Sequence, residues 1–259
     1  MREEKIKEFF EKVGLNCWVA EKPIVRTDDD RIFQMTIRQE RGGSREHFGI
    51  YCGSEKNEVF VLDADSRRNQ VLLFVREPRR KFRYFEPKPG KTFEGEWKSG
   101  TSDASARKYL MGLDETHYFI AQLPRGGAVN KVEDAHKVLR PSHLERKGRL
   151  RKNAKRQGEW FFVPATEGQK KRLARTEKAS WKVWRDYSIS EIGMQPAGIP
   201  HQADEYLELK IKGEVCQFVR GKIRHSDHRA VILDEWHQIF RNLEIVDPAS
   251  RRRILGWVD

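Results

Sequence analysis

The spacing of hydrophobic residues along this 259-residue chain changes from helical to strand-like near residue 16. Ile6, Phe9, Phe10 and Val13 recur at helical spacing before Gly14, which predicts a short helix over residues 2–13. Beyond it, alternating runs between turn-forming residues predict strands at 33–37, 48–52, 59–62, 71–75 and 116–123. Strands at this spacing are typical of an antiparallel meander, either a twisted sheet or a small barrel. Residues 102–110 and 129–139 are predicted to be helical.

A second block of alternation lies near the C-terminus. Leu207, Leu209 and Ile211 alternate with charged residues, Lys212-Gly213 predicts a tight turn, and residues 215–220 run back as a hairpin. Further strands are predicted at 229–233 and 237–243, whereas residues 140–158 contain little that could enter a core. We therefore predict a β-rich α+β protein with three parts: an N-terminal antiparallel sheet or small barrel with peripheral helices (1–140), a basic linker or arm (141–158) and a smaller C-terminal β meander (159–259).

The net charge of the chain favours some classes of binding partner over others. The formal net charge is +12, and residues 140–186 contain 15 Lys or Arg against 5 Asp or Glu, a net charge of +10. Solvation does not require a surplus of one sign, so the surplus favours a polyanionic partner, nucleic acid first. No apolar run approaches the roughly 20 residues of a membrane span, which argues against a membrane partner. Three widely separated cysteines without C-x-x-C spacing are typical of reduced thiols in the cytoplasm.

Several basic segments also contain aromatic residues, a combination that can neutralise phosphates and stack on exposed bases. No major-groove recognition helix is evident, so RNA or another single strand is favoured over duplex DNA. For any single aromatic residue, packing in the core is the alternative interpretation. The predicted nucleic-acid contacts are Arg79, Arg80, Lys81, Arg83, Arg146, Lys147, Arg149, Arg151, Lys152, Lys155, Arg156, Lys170, Lys171 and Arg172.

Histidines and acids concentrate in residues 220–242. His225, Asp227, His228 and His237 could move protons or hold a metal near neutral pH, and His201 could join from a neighbouring strand. We therefore predict catalytic roles for His225, Asp227, His228 and His237, and a divalent metal (Zn, Mg or Mn) bound by His201, His225, His228 and His237. The alternative is a polar turn whose histidines pack against Trp236 and bond to the backbone.

Within this segment, Asp227-His228 followed by Asn242-Leu243 resembles the H-N-H nuclease family. In that family the first histidine activates water, the asparagine braces the motif and a later histidine binds metal. The chain lacks a histidine after Asn242 and lacks the usual loop glycines, so the resemblance is a hint about reaction type only. The absence of a phosphate-binding loop and of G-x-G-x-x-G argues against a nucleotide-driven motor or a dehydrogenase.

Three hypotheses follow. The first is a protein that binds RNA or single-stranded nucleic acid. The second adds metal-dependent nuclease activity at residues 225–237. The third is a non-catalytic subunit of a nucleoprotein or defence assembly, with protein partners that order its basic arm.

Overall fold

A computed structural model describes residues 2–25, 29–40, 45–141, 144, 153–179, 184–188, 201–226 and 228–244. The protein is β-rich: of the described residues, 54% lie in strands, three helices are present among them, and the sheets are mostly antiparallel. Among the described strands no sheet closes into a barrel. The coarse prediction of a β-rich class is therefore confirmed.

The chain forms two compact units. The first contains Met1–Leu113 and Tyr118–Lys137, and the second contains Val138–Leu243 together with the turn Asp114–His117. The predicted linker at 141–158 stays a prediction, because residues 145–152 lie outside the described part of the chain, although Lys155–Gln157 is a strand.

The first unit begins with the predicted helix and continues with sheets. Its elements are α1 Arg2–Lys12, β1 Cys17–Val19, β2 Gln34–Gln39, β3 Glu46–Tyr51, β4 Glu58–Asp65, β5 Gln70–Glu77, β6 Arg80–Lys88, β7 Lys91–Ser102, β8 Ser105–Asp114, β9 His117–Gln122 and α2 Val132–Leu139. β1 runs parallel to β3, with β2 antiparallel on the other side of β3. The four-stranded sheet has the order β4-β5-β8-β9, and among the described strands β6 and β7 pair with each other alone, as a long hairpin.

A hydrophobic core joins α1 to the sheets of the first unit. Ile6 and Phe10 of α1 pack with Phe48, Val71 and Tyr109 from the sheets, all nearly inaccessible to solvent. Gly14 ends α1 with a positive φ of 74°, the conformation that a helix stop of this kind requires.

The helix predicted over residues 102–110 is wrong, because these residues lie in β7 and β8. β8 pairs antiparallel with β5 from Gln70 opposite Gly112 to Glu77 opposite Ser105. Pairing with a distant segment holds these residues in a strand, and local helix propensity does not contain that information.

The second unit is built on one six-stranded sheet with the order β10-β11-β15-β14-β13-β12. Tyr206 and Val219 face one core, whereas Leu207 and Phe218 face another on the opposite side, where Leu173 of α3 also packs. The elements are β10 Lys155–Gln157, β11 Trp160–Pro164, α3 Glu167–Ala179, β12 Trp184–Ser188, β13 Gln202–Ile211, β14 Glu214–Arg224 and β15 Val231–Arg241.

The C-terminal strands differ in one respect from the prediction. The hairpin at Lys212-Gly213 is present, and both turn residues have positive φ (53° and 88°), as two-residue hairpin turns require. The two strands predicted at 229–233 and 237–243 are one strand, β15, which pairs with β14 on one side and β11 on the other.

Candidate metal centre and nucleic-acid interface

Three histidines meet at one end of the six-stranded sheet. Gln202 of β13 pairs with Arg224 of β14, so His201 and His225, one residue beyond each, lie side by side. His228 joins them from the connection between β14 and β15. One ring nitrogen from each histidine lies within 4.8 Å of the others, and the His201 and His225 rings stack with centroids 4.2 Å apart.

The cluster is shielded from water and faces a glycine. His201 is 1% exposed and His225 is 9% exposed. Gly158, in the turn between β10 and β11, has a positive φ of 53°, and a Cβ placed on it would lie 2.8 Å from the Nε2 atom of His228. The same Cβ would lie 3.5 Å from Nε2 of His201. Glycine therefore leaves open the space that these two nitrogens face.

Burial also determines the protonation of the cluster. Desolvation, reinforced by the neighbouring His225 and His228, lowers the pKa of His201 to about 3. Desolvation and His225 also lower the pKa of His228, although Asp114, Glu115 and Glu159 oppose the shift. Both imidazoles are therefore neutral near pH 7, which is the state that binds a metal ion.

The fourth predicted ligand, His237, lies outside this cluster. It sits on β15 opposite Val219 and Pro164, and its Nδ1 donates to the backbone carbonyl of Glu235 at 2.7 Å. Burial lowers its pKa below the ordinary value for histidine. His237 thus matches the alternative interpretation, a packed histidine bonded to the backbone. The predicted catalytic Asp227 lies outside the described residues.

The β6–β7 hairpin separates its charges between two faces. Cross-strand pairs share a face, so the pairing of Arg83 with Ser99 and Phe85 with Trp97 defines one of them. This basic face carries two cations, two aromatic rings and no acid: Lys81, Arg83, Phe85, Pro87, Gly95, Trp97, Ser99 and Thr101. The acids Glu86 and Glu96 lie on the opposite face, where Glu86 pairs with Lys98.

Side chains of the basic face reach into solvent. Lys81 and Arg83 are exposed, and the Arg83 guanidinium lies 5.6 Å from the centre of the Trp97 ring. Trp97 is 63% exposed and contacts the edge of Phe85, with ring centroids 5.7 Å apart. Phe93, nearer the hairpin tip, is 96% exposed. The faces of these two rings are therefore accessible to a binding partner.

Other predicted nucleic-acid contacts are already engaged within the protein. The Arg80 side chain is only 10% exposed and bonds to Glu77 at 2.7 Å and to the carbonyl of Arg31 at 2.6 Å. Arg156 bonds to the carbonyl of Gly158 and to Asp114, and Lys170 pairs with Glu167 and Glu235. Lys155 donates to the carbonyl of Ile232. These four side chains therefore have partners within the protein, and their predicted contact with nucleic acid stays a prediction.

The remaining predicted contacts divide into two groups. Arg79, before the hairpin, and Lys171 and Arg172 of α3 are exposed. The central basic residues lie outside the part of the chain that the structure describes: Arg146, Lys147, Arg149, Arg151 and Lys152.

Sequence reasoning missed several residues of these sites. Gly158 and Glu159 carried no signal beyond a turn-forming glycine, and Trp97 and Phe93 carried none at all, because exposure is not visible in a sequence. A cavity of about 180 Å³ in the first unit was also missed. Its lining includes Phe74 with Arg107, Lys108 and Arg125, and it contains no acid among the described residues.

Comparison with known proteins assigns no family to this chain. No protein-family model, curated protein sequence or solved structure matches the chain. Within the described residues, no helix has the length and apolar character needed to cross a membrane. Function must therefore be argued from the sites themselves.

Proposed function

We propose that this protein binds nucleic acid, with RNA or another single strand favoured, through the basic face of the β6–β7 hairpin. The observation that carries the proposal is the separation of charge on that hairpin: Lys81 and Arg83 share a face with exposed aromatic rings, and the acids lie on the other face. Neither cation forms an ion pair with another described residue, so both are available to a phosphate.

The chemistry of this face suits an unpaired strand. Lys81 and Arg83 neutralise backbone phosphates, and counterions are released. Trp97 and Phe93 offer ring faces for stacking, which contributes about 1–3 kcal/mol per base. Bases in a duplex already stack on one another, so a single strand gains more from these rings than a duplex does.

Positive charge outside the β6–β7 hairpin also favours nucleic acid as the partner. The net charge of +12 draws a polyanion toward the protein at long range. The exposed Arg79, Lys171 and Arg172 extend the positive surface available in each unit.

The test is fluorescence anisotropy with labelled single-stranded RNA, single-stranded DNA and duplex DNA over a range of salt. We expect the single strands to bind most tightly and affinity to fall steeply with salt. The double variant Lys81→Gln/Arg83→Gln should weaken binding about tenfold or more and reduce the salt slope by roughly 1.4, since each phosphate contact on a single strand contributes about 0.7.

The matched control is Lys98→Gln, a cation of the same hairpin on the acidic face, where it pairs with Glu86. Its affinity for single strands should stay within about twofold of wild type, because an exposed paired lysine contributes little. Equal affinity of the wild type and the double variant, or binding that does not change with salt, would contradict the proposal.

A further inference from the structure

We propose that His201, His225 and His228 bind one divalent ion of the Zn(II) and Co(II) class through their ring nitrogens, with a fourth coordination position left open beside Gly158. The proposal concerns the second unit alone and does not depend on nucleic-acid binding by the hairpin. It rests on the convergence of the three rings, on the burial of the site and on the glycine that faces it.

Distances in the cluster are somewhat longer than those of a metal-bound site. Zinc–nitrogen bonds are about 2.0–2.1 Å long, so at tetrahedral angles two nitrogens on one ion stand roughly 3.4 Å apart. The three ring nitrogens lie within 4.8 Å of one another. Side-chain rotations that move each nitrogen by up to about 0.8 Å bring the rings to coordination distance of a shared ion.

An unsatisfied nitrogen points to a missing ligand. The Nε2 atom of His228 is inaccessible to water and has no hydrogen-bond partner within the described residues. Leaving a buried polar atom without a partner costs about 1–3 kcal/mol. Coordination of a metal ion by this nitrogen removes that cost, whereas simple packing of the three rings does not.

Gly158 keeps the approach to the nitrogens clear. An added Cβ at this position would lie 2.8 Å from Nε2 of His228 and 3.5 Å from Nε2 of His201, within the space that an ion bound to both would occupy. The positive φ of Gly158 favours glycine on its own account. The closeness of Gly158 to the two imidazole nitrogens is a separate observation, because a glycine with positive φ can lie anywhere in the fold.

The donor set indicates the class of ion. Imidazole nitrogens suit Zn(II), Co(II), Ni(II) and Cu(II), whereas Mg²⁺ requires oxygen ligands. A site with three protein ligands leaves one position for water or substrate, which is the arrangement of catalytic rather than structural zinc. Next to Gly158, the Oε2 atom of Glu159 is buried without a hydrogen-bond partner among the described residues, and its negative charge favours a cation nearby.

The experiment uses the full-length protein after treatment with a chelator and contains no nucleic acid. Titration with Co(II) should produce the visible absorption bands of a four-coordinate site and reach its end point at one equivalent. Calorimetry should show one Zn(II) bound per chain, with no displacement by excess Mg²⁺. Zn(II) at about 100 times its Kd should raise the stability of the wild type by about 2.7 kcal/mol.

Variants separate a metal site from a packed cluster. His225→Ala and His228→Ala should each weaken Zn(II) binding by about 100-fold or more, because each loses one of three direct ligands. His237→Ala is the matched control, since it removes a buried histidine of the same unit that lies outside the cluster, and it should leave the affinity unchanged. Gly158→Ala should weaken Zn(II) binding even where thermal unfolding shows that the fold is intact.

Two results would overturn the proposal. One is a wild-type protein that gives neither the Co(II) bands nor heat with Zn(II). The other is Zn(II) binding that is the same in wild type, His228→Ala and Gly158→Ala, because the bound ion would then lie elsewhere. If the Lys81→Gln/Arg83→Gln variant binds RNA as tightly as wild type while these titrations succeed, the hairpin interface fails and the metal site stands.

Discussion

At the scale of single residues, burial decides what a charged side chain does. The run of three aspartates at 28–30 has the pattern of a solvated turn, yet Asp29 is only 6% exposed. Its carboxylate accepts from the Arg31 side chain at 2.7 Å and lies 3.9 Å from Arg80. Burial alone would raise the pKa of Asp29, but hydrogen bonds and charge from the arginines outweigh it and hold the pKa below its usual value.

We expect Asp29→Asn to lower the free energy of unfolding at pH 7 by about 1.5–3 kcal/mol, the range for hydrogen bonds to charged groups. A carboxyl whose pKa is lowered by folding stabilises the native state above its unfolded pKa of about 3.9 and loses that effect as the pH falls through the folded value. The difference between wild type and variant should therefore shrink below about pH 4. Denaturant titrations at several pH values measure it.

Glu58→Gln is the control for that measurement, because Glu58 pairs with Arg76 in an ion pair whose two side chains are more than half exposed. Its effect should stay below about 1 kcal/mol. A difference between wild type and Asp29→Asn that is constant from pH 7 to pH 3 would contradict the role given to the ionised carboxylate.

At the scale of elements, irregularities in β14 position the histidine cluster. The register of the β14–β15 pairing shifts between Val219 and Gly221 of β14. The register of the β13–β14 pairing shifts between Ala203 and Glu205 of β13. Gly221 has a positive φ of 88°, and a Cβ there would lie 2.7 Å from Cβ of Asp204. Such a bulge bends the strand, and here it precedes His225 by four residues.

Gly221→Ala should lower the free energy of unfolding by about 1–3 kcal/mol, because alanine is strained at positive φ and its methyl group meets Asp204. Thermal or denaturant unfolding measures the change. Gly168→Ala is the matched control: Gly168 lies in α3 with open space where its Cβ would be, so alanine should be neutral or stabilise by up to about 1 kcal/mol. If Gly221→Ala is as stable as wild type, the bulge tolerates a side chain and the prediction is wrong.

At the scale of the whole molecule, the surplus of positive charge is only partly neutralised by neighbouring acids. Arg80, Arg156 and Lys170 pair internally, whereas Lys81 and Arg83 form no ion pair with another residue in the described ranges. The charge of residues 145–152 lies outside the described part of the chain, so the predicted role of that segment stays a prediction. The predicted protein partners and larger assembly also stay predictions.

The nuclease hypothesis requires both a bound metal and a bound nucleic acid, and a cleavage assay tests it. A metal ion held by His201, His225 and His228 would supply a water of lowered pKa as nucleophile; its oxygen would replace the sugar oxygen on phosphorus, its proton would pass to solvent, and the leaving oxygen would take up a proton from solvent. We expect cleavage of RNA with Zn(II) or Co(II), none after chelation, and at least about a 100-fold loss in His228→Ala. Gel analysis of labelled RNA and DNA measures it.

The His237→Ala variant should cleave at the wild-type rate, because His237 lies outside the cluster. RNA and DNA that stay intact with every metal would end the nuclease hypothesis while leaving both metal binding and nucleic-acid binding testable on their own.

Much of the local structure followed from periodicity. The helix at α1, the strand at β9 and the hairpin at Lys212-Gly213 agree with predictions from the apolar pattern and turn residues. The pattern failed at residues 102–110, where pairing with the distant β5 holds β8 as a strand. It also missed α3, whose charged sequence buries little more than Leu173.

The candidate histidines could be selected from the sequence, but their separation into two groups could not. His201, His225, His228 and His237 are equally able to bind a metal by residue type. Strand register places the first three at one sheet end and puts His237 in mid-strand beside the carbonyl of Glu235. Register depends on pairing between distant segments, which a linear pattern does not contain.

The sequence by itself determined the β-rich class, the surplus of positive charge and the residue types capable of metal and phosphate chemistry, because these depend on composition and local spacing. Only the tertiary structure decided that Arg80 is buried, that Lys81 and Arg83 share a face with Trp97, and that Gly158 lies against the histidine nitrogens. The physical reason is that burial and convergence arise from contacts between residues far apart in the chain, which no local pattern encodes.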